Sequence, residues 1–186
     1  MKNISIISSS VRKDRSSHRV ALYFKNYLEE NNIANVTILD LKEYDFPLFE
    51  ERLKFISNPT EGMLSFASEI TKADGIIVVT PEYNGGYPAS LKNVIDLLYA
   101  EWKRKPIGIA TVSAGAFAGS QVITSLQFSL WKIGALVVPA MFPVATIDKT
   151  FDETGNPSDK EATDKRAKAF IGELTWWIEA KQKMDL

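Results

Sequence analysis

Five short apolar runs alternate with helical patterns along this chain, and no other feature restricts its fold as strongly. The runs are rich in β-branched residues, which suit strands buried on both faces, and they span residues 4–7, 36–39, 76–79, 107–112 and 136–138. Helical patterns are predicted over about residues 17–30, 62–72, 91–102, 119–133 and 158–180. Strands that alternate with helices in this way predict a parallel α/β sheet.

The composition limits the classes of function. A chain of 186 residues with 45% hydrophobic side chains predicts a single domain over residues 1–186. Its formal net charge of -1 provides no long-range field, so neither nucleic acid nor an anionic membrane surface is an expected partner. The chain has no cysteine, which excludes disulfides, thiolate metal sites and redox-active dithiols. Any redox chemistry would therefore need a cofactor.

Targeting signals and other catalytic motifs are not evident. The apolar stretch near the amino terminus is too short for a secretion signal, and no run approaches transmembrane length, so we expect a cytoplasmic protein. His18 is the only histidine, which argues against a serine triad or a histidine-rich metal site. A G-x-G-x-x-G fingerprint is also missing, so a dinucleotide bound in the Rossmann manner is not expected.

The turn after the first apolar run combines hydroxyl groups with cationic side chains. It contains Ser8, Ser9, Ser10, Arg12, Arg15, Ser16, Ser17 and His18, and it opens a predicted helix. A phosphate monoester binds best where several donors, a fixed positive charge and the free amides of a helix start coincide. Alternatively, Ser16 or Ser17 only caps the helix while both arginines lie in solvent. From this loop alone the two interpretations are equally favoured.

Two further loops follow buried runs. The run 76–79 leads into Pro81 and the segment TPEYNGGYP, which predicts an ordered loop at the carboxyl end of a strand, where open parallel sheets bind ligands. The small residues 113–119 follow the next run and leave backbone amides exposed to a planar polar ligand, although a simple tight turn is the favoured alternative there. In the usual order of a small doubly wound sheet, all three loops meet at one edge. One ligand with a phosphate and a ring could contact all of them.

The segment PEYNGGYPASLKNVIDLL resembles the central signature of the NADPH-dependent FMN reductase family, which includes quinone, chromate and azo-dye reductases. SSSVRKDRSSHRVA resembles the phosphate loop of that family, SAGAFAG its third loop, and FDETG the stretch before its last helix. The resemblance covers most of the chain. It implies a flavodoxin-like three-layer α/β sandwich, a five-stranded parallel sheet with strand order 2-1-3-4-5, non-covalently bound FMN, and a homodimer or homotetramer.

The resemblance also assigns residues to each part of the cofactor. The FMN phosphate would be held by Ser10, Arg12, Ser17 and His18, with Arg15 as an addition one turn away. The flavin ring would be bracketed by Pro81, Glu82, Tyr83, Asn84 and Gly85. Its other side would meet Ser113, Gly115 and Phe117, with Ala114, Ala116 and Gly119 completing the backbone path.

The implied activity is that of an NAD(P)H-dependent FMN reductase or quinone reductase. Hydride would pass from NADPH or NADH through FMN to a small acceptor such as a quinone, an azo compound, a flavin or chromate. Because the flavin performs this chemistry, no catalytic side chain is expected. A flavodoxin-type electron carrier is one alternative. It is disfavoured because such carriers present a strongly acidic docking face, whereas the net charge of this chain is only -1. A cofactor-free binding module on the same fold is another.

Some positions depart from the family pattern or are expected to determine specificity and assembly. Ser9 and Ala118 replace common glycines; Ser9 would be strained if it were left-handed, whereas Ala118 is expected to add only a methyl group. Tyr87 is expected to shape the substrate mouth. The predicted helix 91–102 ends in LLYAEW, whose aromatic residues suit the core of a subunit interface.

Overall fold

A five-stranded parallel sheet forms the centre of the computed structural model, which describes residues 1–184. The strands are arranged in the order β2-β1-β3-β4-β5, as predicted, and all neighbouring pairs are parallel. They are β1 (Lys2–Ser8), β2 (Ala34–Asp40), β3 (Gly75–Pro81), β4 (Pro106–Val112) and β5 (Leu136–Val144). Every residue of β3 and β4 is buried, which explains why these two strands consist of almost uninterrupted apolar residues.

Helices cover both faces of the sheet. They are α1 (His18–Glu30), α2 (Leu41–Tyr44), α3 (Glu61–Lys72), α4 (Ala89–Leu97), α5 (Ser120–Lys132), α6 (Ile147–Thr150) and α7 (Lys160–Met184). One core, which includes Phe24 of α1 and Phe170 of α7, lies on one face. The other core, which includes Phe66 of α3 and Leu126 of α5, lies on the opposite face. The predicted single domain extends to residues 185 and 186, which lie outside the described part of the chain.

The last strand is longer than predicted. The predicted apolar run ends at residue 138, yet β5 continues through Pro139 and Pro143 to Val144. Since β5 is an edge strand, a proline whose missing N–H would face outwards costs the sheet no hydrogen bond. A register shift against β4 between Ile107 and Ile109 accommodates the extra residues.

The helix predicted over residues 91–102 ends early. Helix α4 stops at Leu97, and residues 100–102 form a separate 3₁₀ turn. That turn buries Trp102 completely, and the indole N–H donates to the Ile95 carbonyl at 3.2 Å. Trp102 therefore packs within its own subunit, and the expectation that it belongs to a subunit interface is wrong. Tyr99 remains 48% exposed. Among residues 1–184, no helix has the combination of length and apolar character that crossing a bilayer requires.

Gly108 of β4 provides a test of the packing between the sheet and α7. A Cβ atom at Gly108 would lie 2.6 Å from Cζ of Phe170, whereas one at Gly172 of α7 would meet nothing within 4 Å. Gly108→Ala should lower the free energy of unfolding by about 1 to 3 kcal/mol through overpacking. The matched control, Gly172→Ala, should raise it by about 0.5 to 1 kcal/mol through helix propensity. Urea denaturation measures both changes, and effects of the same sign would contradict the described packing.

Candidate functional site

Three loops meet at the carboxyl edge of the sheet, after the adjacent strands β1, β3 and β4. Together they form a cleft of about 190 Å³. The predicted site residues that line it are Arg12, Arg15, Ser17, Pro81, Glu82, Tyr83, Ser113 and Ala114. The loops converge because parallel strands all end at the same edge and because the chain reverses its winding direction between β1 and β3.

Three other residues of the cleft, Asp14, Val112 and Ile147, were not predicted, and Ser16 was named only as part of the cationic turn or as a helix cap. Asp14 and Ser16 belong to the first loop, Val112 ends β4, and Ile147 begins α6 after β5. Ile147 marks a fourth segment at the same edge, and its only signal in the sequence is its position after the last strand. The remaining predicted residues do not line the cleft. His18 is the first residue of α1, and the others lie in the same three loops: Ser10, Asn84, Gly85, Gly115, Ala116, Phe117 and Gly119.

The first loop is joined directly to the second through Tyr83. The Ser10 hydroxyl and the Tyr83 phenol are 2.6 Å apart, and the backbone N–H of Arg12 donates to the same serine oxygen at 3.4 Å. The Arg12 guanidinium carbon lies 5.6 Å from the centre of the Tyr83 ring. Ser10 itself is fully buried. The phenol end of Tyr83 therefore lies at the cationic loop.

A buried ion pair supports the first loop from beneath. Both terminal nitrogens of the Arg15 guanidinium donate to the Asp40 carboxylate, and the side chains of Arg15 and Asp40 are only 12% and 4% exposed. Arg15 also donates to the Ser10 carbonyl at 2.9 Å. Sequence reasoning missed Asp40, although it ends the strand next to β1 and so lies at the same edge. Asp40 neutralises the charge of Arg15. Arg12, by contrast, forms no ion pair within residues 1–184, so its charge is available to a ligand in the cleft.

His18 lies next to this ion pair. Its Nδ1 shares a hydrogen bond with the Ser8 hydroxyl at 2.9 Å and is 3.6 Å from an Asp40 oxygen. Burial lowers the pKa of His18, and Arg15 lowers it further, whereas Asp40 raises it in opposition. The ring is therefore mainly neutral at neutral pH, and it serves the loop as a hydrogen-bonding group.

The second loop is a rigid turn. Asn84 and Gly85 have φ angles of 53° and 79°, and Tyr83 and Gly86 exchange backbone hydrogen bonds of 2.8 and 3.0 Å. An Asn-Gly pair favours this geometry because both residues tolerate positive φ. The Glu82 carboxylate accepts a hydrogen bond from the backbone N–H of Gln121 at 3.0 Å. That bond ties the second loop to the start of α5.

Two successive residues of the third loop have a left-handed backbone conformation. Ala118 and Gly119 have successive φ angles of 53° and 70°, and the Thr111 hydroxyl donates to the Ala118 carbonyl at 2.6 Å. Ser9 does not have a positive φ, and its amide donates to the Val79 carbonyl at 3.1 Å. Of the two positions that replace a common glycine, Ala118 is left-handed and Ser9 is not. The expectation that Ala118 adds only a methyl group is wrong, because a left-handed alanine is itself strained.

Ala118→Gly tests that assignment. Glycine adopts a positive φ without the clash between Cβ and carbonyl, so the change should raise the free energy of unfolding by about 1 kcal/mol. Ala116→Gly in the same loop is the matched control, because Ala116 is not among the residues with positive φ. It should be neutral or slightly destabilising. Equal effects of the two changes in urea denaturation would argue against strain at Ala118.

The donor set of the first loop suits a phosphate monoester. The Ser17 hydroxyl precedes α1 without capping it, and no acidic residue occupies the first turn of that helix. The Ser9 hydroxyl is buried and has no hydrogen-bond partner among the described residues. Ser17 and the exposed Arg12 line the cleft, and with the start of α1 they supply a hydroxyl donor, helix amides and a fixed charge.

Comparison with known proteins identifies relatives along nearly the whole chain. A family model described as NADPH-dependent FMN reductase matches residues 2–149. An NAD(P)H-dependent FMN reductase of Saccharomyces cerevisiae is 33% identical over 160 residues, which cover 77% of this chain and 83% of that protein. A quinone reductase of Pseudomonas putida is 29% identical and covers 95% of this chain and 94% of its own length.

The fold is similar to that of a solved flavoenzyme. The structure of an NAD(P)H:(acceptor) oxidoreductase from Paracoccus denitrificans superimposes with a TM-score of 0.78 at 25% identity. The superposition covers 97% of this chain and 98% of that one. With the strand order β2-β1-β3-β4-β5, this similarity confirms the predicted flavodoxin-like fold.

Proposed function

This chain belongs to the NADPH-dependent FMN reductase family, and we propose that its three-loop cleft is where FMN binds. The protein is an NAD(P)H-dependent oxidoreductase with FMN as cofactor. The observation that carries the placement is the convergence in one cleft of a donor-rich cationic loop, a rigid turn and a loop of small residues.

At the phosphate end, Arg12 supplies the charge and Ser17 a hydroxyl donor at the start of α1. His18, which lies beside Ser8 and Asp40, helps to hold the loop in shape. The buried pair with Asp40 holds Arg15 against the Ser10 carbonyl, so Arg15 acts by ordering the loop. Ordering before binding reduces the entropy that the ligand would otherwise have to offset.

At the ring end, two loops would hold the flavin. We assign Pro81, Glu82, Asn84 and Gly85 to one side of the ring and Ser113, Ala114, Gly115, Ala116, Phe117 and Gly119 to the other. When bound, FMN supplies the hydride-transfer chemistry between NAD(P)H and an acceptor. The protein positions the ring and donates backbone hydrogen bonds to it, so no side chain is assigned as a catalytic acid or base.

The acceptor is a small molecule, by analogy with the quinone reductases among the relatives. Phe117 is 83% exposed at the third loop, where its ring is free to stack on a planar acceptor. The Tyr87 phenol and the Ser129 hydroxyl are 2.7 Å apart, which fixes one wall of the proposed mouth to α5. A quinone is therefore the first acceptor to test.

We also propose that the protein forms a homo-oligomer through α5. Phe128 and Trp131 are 63% and 65% exposed, and their ring centres lie 5.9 Å apart. An exposed pair of large aromatic residues is typical of the core of an interface. Sedimentation of the wild type and of a Phe128→Ser/Trp131→Ser variant would distinguish a dimer or tetramer from a monomer. The cytoplasmic location stays a prediction.

The test of the site is an absorption spectrum of the purified protein after addition of FMN, removal of the excess, and anaerobic addition of NADPH. Retained flavin colour that bleaches on addition of NADPH is the expected result. Colour that persists would favour the electron carrier. A protein that retains no flavin would contradict the proposed site and favour the cofactor-free module.

A further inference from the structure

The contact between Ser10 and Tyr83 raises the question of which hydroxyl faces the phosphate. The resemblance assigns Ser10 to the phosphate and Tyr83 to the ring. In the structure, however, Ser10 is fully buried and does not line the cleft, whereas Tyr83 does. Tyr83 shares that cleft with Arg12, Ser16 and Ser17, the polar groups of the cationic loop.

The hydrogen bonds around Ser10 allow Tyr83 to donate into the cleft. A hydroxyl has one proton to donate and two lone pairs that accept. The Ser10 oxygen accepts from the Arg12 amide at 3.4 Å, and its other partner is the Tyr83 oxygen at 2.6 Å. Either hydroxyl can donate in this pair, and in one of the two arrangements Ser10 donates its proton to Tyr83. The phenolic proton of Tyr83 is then free to point into the cleft.

We propose that Tyr83 is a phosphate-binding residue and that Ser10 is a positioning residue behind it. The chain of donors runs from the Arg12 amide through Ser10 to the phenol, and the phenol donates to a phosphate oxygen. The nearby Arg12 guanidinium, 5.6 Å from the ring centre, strengthens the phenol as a donor and adds its own charge. This inference rests on the proposed FMN site. It makes Tyr83 a determinant of the preference for FMN over riboflavin, which lacks the phosphate.

The test measures dissociation constants for FMN and for riboflavin by quenching of flavin fluorescence, without NADPH. Tyr83→Phe should weaken FMN binding about tenfold, because a hydrogen bond to a charged oxygen is lost. Riboflavin binding should stay within about twofold, since the ring contacts remain. Tyr99→Phe, which removes a phenol oxygen outside the cleft, is the matched control and should change neither constant.

The serine distinguishes the two assignments. Ser10→Ala should weaken FMN binding about threefold in the wild type, because the phenol loses its positioning partner. In the Tyr83→Phe background the same change should have no further effect. A full effect of Ser10→Ala in that background would show that Ser10 touches the phosphate itself and would overturn the proposal.

Two other results are informative. An equal loss of FMN and riboflavin in Tyr83→Phe would place the tyrosine on the ring and would also overturn the proposal. A wild-type protein that binds neither flavin would contradict the proposed FMN site as a whole, and that outcome is distinct from a failure of the assignment to Tyr83.

Discussion

Asp40→Ala is expected to lower the free energy of unfolding by about 3 to 5 kcal/mol, the largest effect of any single change considered for this protein. The Asp40 carboxylate is 4% exposed and accepts hydrogen bonds from both terminal nitrogens of Arg15. Removing it leaves a buried cation without its counter-charge and also removes the acceptor for the Lys42 amide. The loss is measured by urea denaturation of the flavin-free protein, because bound ligand would add its own stabilisation.

An exposed ion pair provides the control for Asp40→Ala. Lys25 and Glu29 pair on the surface of α1 with side chains 37% and 43% exposed, so Glu29→Ala should cost less than about 1 kcal/mol. The double change Asp40→Ala/Arg15→Met should recover part of the loss, since it removes the unpaired charge as well. An Asp40→Ala protein as stable as Glu29→Ala would mean that the pair contributes nothing to the fold.

Arg12→Ala is expected to weaken FMN binding about ten- to hundredfold, the range associated with a lost hydrogen bond between charged groups. Arg12 is exposed, lines the cleft and forms no ion pair with any residue in the described range 1–184. Its charge is therefore available to a phosphate. Riboflavin binding should change little, because that ligand carries no phosphate, and fluorescence titration measures both constants.

Lys13→Ala is the matched control for Arg12→Ala. Lys13 is exposed in the same loop and carries the same charge, but it does not line the cleft. Removing the Lys13 charge should change the affinity for FMN by no more than about twofold, because that charge acts on the phosphate only through a long-range attraction that salt screens. Equal losses of FMN affinity in the two variants would mean that the loop attracts anions through its general positive charge and that Arg12 makes no specific contact with the phosphate.

Much of the fold was predictable from the sequence because its signals are local. Strands buried on both faces need continuous apolar residues, which made the runs at 76–79 and 107–112 recognisable. The pair Asn84-Gly85 similarly indicates a tight turn, since both residues tolerate positive φ. Boundaries were less predictable. Helix α4 ends at Leu97 because the indole of Trp102 folds back onto the Ile95 carbonyl, a contact that helical periodicity does not encode.

The site was predictable only as a set of loops. Hydroxyl and cationic side chains made the first loop a candidate, and small residues made the third one, because those residue types are what phosphate and ring binding require. The assignment of both loops to one ligand rested on their expected convergence and on the family resemblance. The strain at Ala118 was missed, since a positive φ at alanine arises from how the loop is held by Thr111. Asp40 was missed because its role is to pair with Arg15 across 25 residues, and the predicted strand order does not specify side-chain pairings.

The sequence by itself determined the succession of strands and helices and which loops carry donors, because periodicity and turn chemistry act between near neighbours. The tertiary structure alone decided the pairings. Arg15 meets Asp40 across 25 residues, and Ser10 meets Tyr83 across 73 residues. Each pairing exists only because parallel strands bring distant loops to one edge, where buried charges and hydroxyls must find partners. The partner of a buried charge or hydroxyl is the group that lies next to it in the folded protein, and the distance between the two residues along the chain does not identify that partner.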